Sequence, residues 1–268
     1  MLEIGPILFY HGIFVYAFVF VCGLLLGSFL NSWIWRTREN IRVVGKAFSM
    51  CVHCHRTLKW YEKFPLLSYL FLRGKCRTCK RPIPAQYFWV ELMSAVLLTL
   101  VAYYYINTVS FSEWQLLRDV FFLTFLIVIF VYDALYGLIL SRIVWPGAMI
   151  GFVVNVCYLN YSPMNLILGG IVGGGFFAAQ YLASRGRWIG GGDVRLGIMM
   201  GVWLGWPLVL VAILLAYVSG AICGVGLLLS KKASRTTAIP FGIFLAVATF
   251  FTLYHGQTVL NWYLSLMP

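Results

Sequence analysis

Long apolar segments separated by short polar stretches dominate this 268-residue chain. A membrane-spanning helix needs about 20 consecutive apolar residues. The pattern therefore predicts an all-α polytopic membrane protein with about eight transmembrane helices and one polar insertion. The predicted spans lie at about 8–35, 87–107, 117–133, 143–160, 165–183, 208–230 and 240–262, with a shorter apolar run at 194–205.

The shorter run does not fit the rule for a full span. Twelve residues make a helix of about 18 Å, whereas the hydrocarbon core is about 30 Å thick. The stretch that precedes it, at about 184–193, is rich in glycine. Non-helical backbone at membrane depth is tolerated only where it is buried in protein or lines water. We therefore expect this glycine-rich stretch to have a functional role.

The composition agrees with membrane residence, since 62% of residues are hydrophobic and only 10% are charged. An average globular domain has about 25% charged residues. The deficit excludes an ordinary soluble protein, a disordered chain and a coiled coil. The lipid bilayer is therefore the first expected partner.

Positive charge is concentrated in one loop, because residues 36–82 contain 12 Lys and Arg but only two acidic residues. Lys- and Arg-rich loops stay in the cytoplasm. With this loop inside, 19 of the 20 basic residues lie on the cytoplasmic side and only Arg118 lies outside. Topology accounts for the charge, so we expect no nucleic-acid partner, although an acidic partner is the alternative. The predicted division is a first transmembrane helix (1–35), a cytoplasmic basic loop domain (36–85) and a transmembrane domain (86–268).

Four cysteines of the basic loop form two C-x2-C pairs, Cys51 with Cys54 and Cys76 with Cys79. This spacing is close to that of a zinc ribbon. Two such turns complete a tetrahedral site with no open position, which is typical of a structural zinc ion. The alternatives are two disulfides, or His53 or His55 as a substitute ligand. A cytoplasmic loop favours reduced thiols and hence zinc.

The chain has only three aspartates, and two of them lie in apolar surroundings. Asp133 follows an apolar run, and Asp193 ends the sequence Gly190-Gly191-Gly192-Asp193. Both fall on the predicted cytoplasmic side. Carboxylates in or near the hydrocarbon indicate function, and two that lie close together share one proton, as in aspartic proteases. The third, Asp119, adjoins Arg118 at the predicted outer end of a span, where we expect a surface ion pair.

Other roles for the two acids are open from spacing alone. Intramembrane acids also serve proton-coupled transporters or assembly factors. Asp193 is also a suitable N-cap for the helix that follows it. The glycines allow backbone to approach a substrate strand closely, which favours a peptidase.

Over nearly its whole length the chain resembles the type IV prepilin peptidases, the prepilin leader peptidase/N-methyltransferases, which are membrane aspartic proteases of the G-x-G-D class. The segments that carry the resemblance are Gly27-Ser28-Phe29-Leu30-Asn31, the two cysteine pairs, Arg81-Pro82-Ile83, Gly190 to Leu196 and Ile239-Pro240-Phe241-Gly242.

This resemblance implies that Asp133 and Asp193 are the catalytic pair, with Gly190, Gly191, Gly192 and Arg195 supporting substrate or backbone. It implies cleavage of prepilins and pseudopilins at the cytoplasmic face of the bacterial inner membrane. The substrate carries a short basic leader that ends in glycine, followed by a hydrophobic helix. The resemblance also implies S-adenosylmethionine-dependent methylation of the new N-terminus, although no residues form a recognisable binding loop for that cofactor. A peptidase without methyltransferase activity is the alternative.

Two positions depart from the family pattern. The family usually carries an L-P-D triplet several residues after the first aspartate, and this chain reads Leu138-Ile139-Leu140-Ser141 there. Arg195 stands where lysine is usual. One further acid, Glu91, lies inside the second predicted span, where it either orients a methyl-acceptor amine or pairs with Arg73 or Arg81.

Overall fold

The computed structural model describes residues 5–41, 49–107, 112–230 and 239–267, and the side chains from residue 13 onwards. Five basic residues that the charge pattern assigned to the cytoplasmic side lie outside the described residues: Arg42, Lys46, Lys231, Lys232 and Arg235.

Helices account for nearly all regular structure in the described ranges, and every predicted apolar segment is helical. The long helices are α1 (Gly5–Arg38), α3 (Gln86–Ile106), α4 (Glu113–Tyr136), α5 (Ser141–Cys157), α6 (Pro163–Ser184), α7 (Gly191–Leu204), α8 (Leu208–Leu229) and α9 (Gly242–Ser265). The loop between α1 and α3 contains a short 3-10 helix, Trp60–Lys63, and the five-residue helix α2, Leu67–Phe71.

Six of these helices are long and apolar enough to cross a membrane. The all-helical prediction is confirmed, but two of the eight predicted spans are short. Helix α5 has 17 residues and α7 has only 14. At 1.5 Å per residue α7 is about 21 Å long, less than the thickness of the hydrocarbon core.

The chain forms two compact units, Met1–Ser112 and Glu113–Pro268. In the first unit α1 packs along α3. A Cβ added at Gly27 would lie only 2.7 Å from Glu91 Cα, so the backbones of the two helices touch there. Small residues allow this approach between membrane helices. The predicted boundaries at residues 35 and 85 remain a prediction.

In the second unit the backbones of α6 and α7 pack against each other through glycines. A Cβ at Gly197 would lie 2.6 Å from the carbonyl oxygen of Gly173 and 2.5 Å from the ring of Phe177. Gly173 of α6 thus packs tightly against α7, whereas a Cβ at Gly175 would meet nothing within 4 Å. Close packing holds short α7 among longer helices.

The predicted surface pair of Arg118 and Asp119 is wrong, because both residues are buried, with 6% and 1% of their surfaces exposed. Arg118 Nε lies 2.7 Å from Asp119 Oδ1, and its Nη1 donates to Asn155 Oδ1 at 3.1 Å. Asn155 Nδ2 is 3.4 Å from the carbonyl oxygen of Trp203. The network joins α4, α5 and α7, and α5 and α7 cover the ion pair that the sequence placed at the surface.

We predict that Gly197→Ala lowers the thermal unfolding midpoint of the purified protein, because the added methyl group meets backbone that cannot move away. Overpacking of this kind costs about 1–3 kcal/mol. Gly175→Ala is the matched control, since alanine in an open helical position is neutral or stabilises by up to about 1 kcal/mol. Equal midpoints for the two variants would contradict the close contact.

Candidate active site and metal centre

Asp133 lies in the last turn of α4 and is buried, with 4% of its surface exposed. The backbone N–H of Ile243, in the first turn of α9, donates to Asp133 Oδ2 at 3.2 Å. The first N–H groups of a helix have no partner within the helix and favour an anion. A Cβ at Gly242 would lie 2.7 Å from the same oxygen. The segment around Gly242 therefore supplies both a donor and the space for this carboxylate.

Asp193 is the third residue of α7 and is also buried. Its Oδ2 accepts a hydrogen bond from the N–H of Gly190 at 3.0 Å. The N-cap of α7 is Gly190, so the alternative in which Asp193 itself is the N-cap is wrong. The carboxylate instead folds back onto the start of its own helix. Asp193 thus also receives an amide hydrogen from a helix N-terminus.

One residue connects the surroundings of the two carboxylates in the second unit. Ile139, in the connection between α4 and α5, packs against both glycine positions. A Cβ at Gly192 would lie 2.9 Å from Ile139 Cβ, and one at Gly242 would lie 3.0 Å from Ile139 Cδ1. Within the described residues neither aspartate forms an ion pair. When two carboxylates lie close together in a poorly solvated site, the state in which they share one proton is more stable than the doubly ionised state.

The glycines before Asp193 differ in their surroundings. A Cβ at Gly190 would lie 3.5 Å from Asp193 Oδ2, and one at Gly191 would lie 3.6 Å from Arg195 Nη2, both ordinary contact distances. Only Gly192 is tightly packed, against Ile139. A Cβ at Gly190 or Gly191 would therefore fit without a clash.

Arg195 and Ser141, the two departures from the family pattern, contact each other. Arg195 Nη1 donates a hydrogen bond to Ser141 Oγ. Ser141 begins α5 and Arg195 lies in α7. The bond fixes the connection that carries Ile139 relative to the start of α7.

Sequence reasoning missed Tyr217 of α8. Its hydroxyl donates to Gln180 Oε1 at 2.8 Å. Its ring centroid lies 4.9 Å from that of Phe241, which precedes Gly242. A single tyrosine in an apolar helix carries no pattern that would have distinguished it from an interface anchor.

In the first unit the four loop cysteines converge. Their sulfur atoms all lie within 4.8 Å of one another, and all four are free thiols. Cys51 Sγ and Cys79 Sγ are 4.0 Å apart, about twice the length of a disulfide bond. The disulfide alternative is therefore wrong, and the cluster could hold a metal ion.

The same turn is built twice around these cysteines. The N–H of Cys51 donates to the carbonyl of Arg56, and the N–H of Cys76 donates to the carbonyl of Arg81, each at 2.9 Å. His55 and Lys80, four residues after each first cysteine, both adopt positive φ, 53° and 57°. Each turn thus presents two sulfurs on one side.

The surroundings of the sulfurs favour thiolate at one position. Backbone N–H groups of Cys79 and Thr78 lower the pKa of Cys76 to about 6. Burial raises the pKa of Cys51 to about 11. A metal ion is held by thiolates, so metal binding at this cluster would release protons.

Neither histidine of the loop belongs to the cluster. His53 Nε2 lies 3.2 Å from the carbonyl oxygen of Pro82, and the ring of His55 lies beside Trp35. The alternative ligand sets are therefore not supported. Glu62 braces the loop instead, pairing with Arg56 Nη2 at 2.9 Å and accepting from the N–H of Lys59 at 2.8 Å.

Comparison with protein-family models matches residues 21–105 to the bacterial peptidase A24 N-terminal domain and residues 120–225 to the type IV leader peptidase family. A prepilin leader peptidase/N-methyltransferase of Aeromonas hydrophila is 30% identical over 95% of this chain and 96% of that relative. The chain belongs to the type IV leader peptidase family.

Other relatives of this family carry the same name. That of Stutzerimonas stutzeri is 32% identical over 91% of the chain and 92% of the relative, and that of Bacillus subtilis (strain 168) is 28% identical over 92% and 97%. No solved structure matches the chain. The type IV leader peptidase match includes Asp133, Asp193 and Arg195, and the N-terminal match includes the four cysteines.

We predict that the purified protein carries one metal ion per chain, and that Cys51→Ser lowers this content by at least half. Removing one of four thiolates breaks the tetrahedral site. Cys223→Ser, an exposed cysteine of α8, is the matched control and should leave the metal content unchanged. Elemental analysis by mass spectrometry measures the content. A wild-type protein without metal would contradict the assignment.

Proposed function

We propose that this protein is a prepilin leader peptidase that removes a short basic leader from prepilins and pseudopilins, with Asp133 and Asp193 as its catalytic pair. The observation that carries the proposal is the arrangement of these residues. Two buried carboxylates without ion pairs in the described residues each accept a hydrogen bond from a helix N-terminal N–H group, and Ile139 contacts the glycine positions beside both. Both lie inside the type IV leader peptidase match.

The chemistry assigned to the pair is acid–base catalysis of amide hydrolysis. The ionised carboxylate accepts a proton from water, whose oxygen attacks the scissile carbonyl carbon, while the protonated carboxyl donates to the carbonyl oxygen. Collapse of the tetrahedral intermediate breaks the C–N bond, and the leaving amine takes the proton held by the first carboxylate. The hydrogen bonds from backbone N–H groups engage Oδ2 of each aspartate, so we assign Oδ1 of each to water and substrate.

The glycine loop suits a substrate that is a peptide backbone. Gly190 and Gly191 carry no side chain, which lets an extended backbone strand approach closely without side-chain interference. A leader that ends in glycine would present little bulk at the same point. The following hydrophobic helix of the substrate would remain in the bilayer beside the apolar helices of this protein.

We place the reaction at the cytoplasmic face of the bacterial inner membrane. The support is the charge distribution, because the loop at 36–82 carries 12 of the 20 basic residues and such loops stay inside. Asp133, at the end of α4, and Asp193, at the start of α7, fall on that side in the same topology.

We assign the metal as zinc with a structural role. Four sulfurs at about 2.3 Å from a tetrahedral ion lie about 3.8 Å apart, close to the 4.0 Å between Cys51 Sγ and Cys79 Sγ. A site with four thiolates has no position for substrate. Zinc would therefore supply folding energy to the loop, and X-ray absorption with four sulfur neighbours would identify it.

We further propose that the protein methylates the new N-terminal amine. The support is the name shared by its full-length relatives, prepilin leader peptidase/N-methyltransferase. S-adenosylmethionine would supply the methyl group. The competing function, a proton-coupled transporter or assembly factor, predicts no leader loss when purified protein is incubated with a prepilin.

We predict that Asp133→Asn and Asp193→Asn each slow leader cleavage by at least about 10²–10⁴-fold, the usual contribution of a general acid or base. The asparagines keep the shape and an acceptor for the helix amide but cannot exchange the proton. Gel analysis of a prepilin incubated with each purified variant measures the effect. Glu113→Gln, which changes an exposed carboxylate of α4, should cleave normally. Normal processing by either asparagine variant would refute the mechanism.

We predict that Gly242→Ala slows cleavage by at least about tenfold, because its Cβ would lie 2.7 Å from Asp133 Oδ2 and would displace the carboxylate. A misplacement of about 1 Å can cost about 10²-fold in rate. Gly226→Ala in α8, where a Cβ would meet nothing within 4 Å, is the matched control. Wild-type cleavage by Gly242→Ala would show that Asp133 does not need this position.

A further inference from the structure

The loop between α1 and α3 exposes a group of large apolar side chains outside the membrane spans. We call this group the loop face, and its members are Trp60, Phe64, Leu67, Leu70 and Phe71. Phe71 is 83% exposed and Trp60 is 73% exposed. A contiguous exposed apolar surface indicates a binding partner, and neither leader cleavage nor the metal cluster uses this one.

The members of the loop face lie side by side. The ring centroids of Trp60 and Phe64 are 5.8 Å apart. Phe64, Leu67 and Phe71 line one groove of about 430 Å³. In α2 the residues Leu67, Leu70 and Phe71 have the spacing i, i+3 and i+4, which places them on one side of the helix. The loop face is therefore one apolar surface.

Two contacts fix the position of α2 along α3. Glu91 Oε2 accepts a hydrogen bond at 2.9 Å from the N–H of Leu66, the residue before α2. The ring centroids of Tyr69 and Phe88 are 5.6 Å apart. Phe88 and Glu91 are the third and sixth residues of α3. Helix α2 therefore lies beside the first two turns of α3 and not beyond its end.

Glu91 thus holds the turn before α2 on α3. Among the described residues it forms no ion pair with Arg73 or Arg81, so that sequence-based expectation is wrong. The contact that the sequence did not predict is the hydrogen bond from the backbone of the loop.

The first turns of α3 lie at the level of the bilayer boundary. Helix α3 has 21 residues and is about 31 Å long, which matches a hydrocarbon core of about 30 Å. Its whole length is therefore needed to cross the core. Because α2 lies beside its first two turns, the loop face is at the depth where headgroups meet acyl chains.

Basic residues lie next to the loop face in the chain and in its groove. They are exposed and form no ion pair within the described ranges: Lys59, Lys63, Arg73, Lys75 and Arg77. Glu62 also lines the groove, but it is buried and pairs with Arg56 at 2.9 Å. The surroundings of the loop face therefore carry an excess of positive charge.

We propose that the loop face binds the bilayer, with its apolar side chains at the acyl boundary of the nearer leaflet and its basic neighbours on anionic lipid headgroups. Elements with Trp, Phe and Leu on one side and Lys or Arg beside them lie in the membrane interface. Anionic lipids attract such basic residues. The inference needs membrane residence alone and does not rest on peptidase or methyltransferase activity.

Charge distinguishes lipid from the protein partners that an apolar surface also fits. A second copy of this chain would bring the same excess of basic residues to the contact. The substrate proposed above carries a basic leader. Like charges brought together oppose binding, whereas anionic headgroups complement the basic residues of the loop. Lipid is therefore the partner that the charge favours.

The test is photo-crosslinking of full-length protein that carries p-benzoylphenylalanine in place of Phe71, reconstituted in vesicles that contain radiolabelled phospholipid. The same replacement at Thr78, an exposed residue between Cys76 and Cys79, is the matched control. We expect at least about tenfold more lipid label at position 71, since burial of a Phe side chain in an apolar medium is favoured by about that much or more. Metal content and thermal midpoint of both proteins report whether the loop stays folded.

Vesicles with equal amounts of phosphatidylglycerol and phosphatidylcholine, one of them labelled at a time, test the charge. We expect phosphatidylglycerol to receive at least about fivefold more label at position 71, the contribution of about one basic residue near an anionic surface. The ratio should fall towards one when Lys63→Gln, Arg73→Gln and Lys75→Gln are combined. Lys80→Gln, an exposed basic residue outside the groove, should keep it.

Three results would overturn the proposal. The first is equal lipid label at positions 71 and 78. The second is a crosslink from position 71 to protein alone, whether to a second copy, to the rest of the chain or to an added prepilin. The third is lipid label without preference for phosphatidylglycerol, which would remove the contact with anionic headgroups. Asp193→Asn, which we expect not to cleave, should give the wild-type label, so failure of the peptidase proposal is measured separately.

Discussion

Hydrogen bonds from helix N-terminal amides to buried carboxylates are the interaction on which the second unit depends. A carboxylate taken out of water is costly unless it receives donors, and lipid supplies none. Ile243 at the start of α9 and Gly190 at the start of α7 supply them to Asp133 and Asp193. Helix α9 must therefore begin beside the end of α4. The bond of Gly190 lies within the start of α7, so the glycine-rich stretch supplies the donor for its own aspartate.

A short helix can begin there only if its neighbours hold it firmly. Helix α7 has 14 residues, too few to cross the hydrocarbon alone, and α6 contacts it backbone to backbone at Gly173 and Gly197. At its other end Trp203 donates through Nε1 to the carbonyl of Gly147 at 2.9 Å and stacks on Phe122 with ring centroids 3.9 Å apart. Gly197, one turn after Asp193, and Trp203, near the C-terminal end of α7, thus fix the position of Asp193 in the bundle. Glycine contact near Asp193 and tryptophan packing at the far end of α7 together position this helix.

Hydropathy and spacing predicted much of this structure, and the errors have a common physical origin. The eight helical segments and the cysteine cluster follow from local patterns, because an apolar run or a C-x2-C pair consists of residues that are close together in the sequence. The burial of Arg118 and Asp119 does not, since it depends on Asn155 and Trp203, which lie far away in the chain. The contacts of Ile139 and Tyr217 were missed for the same reason. An isoleucine in a connection and a tyrosine in an apolar helix acquire a role only when α7, α8 and α9 converge.

The contact between Arg195 and Ser141 shows how two departures from a family pattern can belong to one interaction. Lysine is usual at the first position, and the L-P-D triplet is replaced in the segment that ends with Ser141. Arginine offers a planar fork of N–H donors, and a neutral hydroxyl accepts one of them here. The acceptor in that bond is a hydroxyl and not a carboxylate. The bond therefore brings no third acidic group close to Asp133 and Asp193. Ile139 lies in the same connection and contacts the positions of Gly192 and Gly242. It thereby sets the distance between the start of α7 and the start of α9. The bond between a guanidinium and a hydroxyl therefore holds the connection between α4 and α5 on α7, beside the two carboxylates that we propose as the catalytic pair.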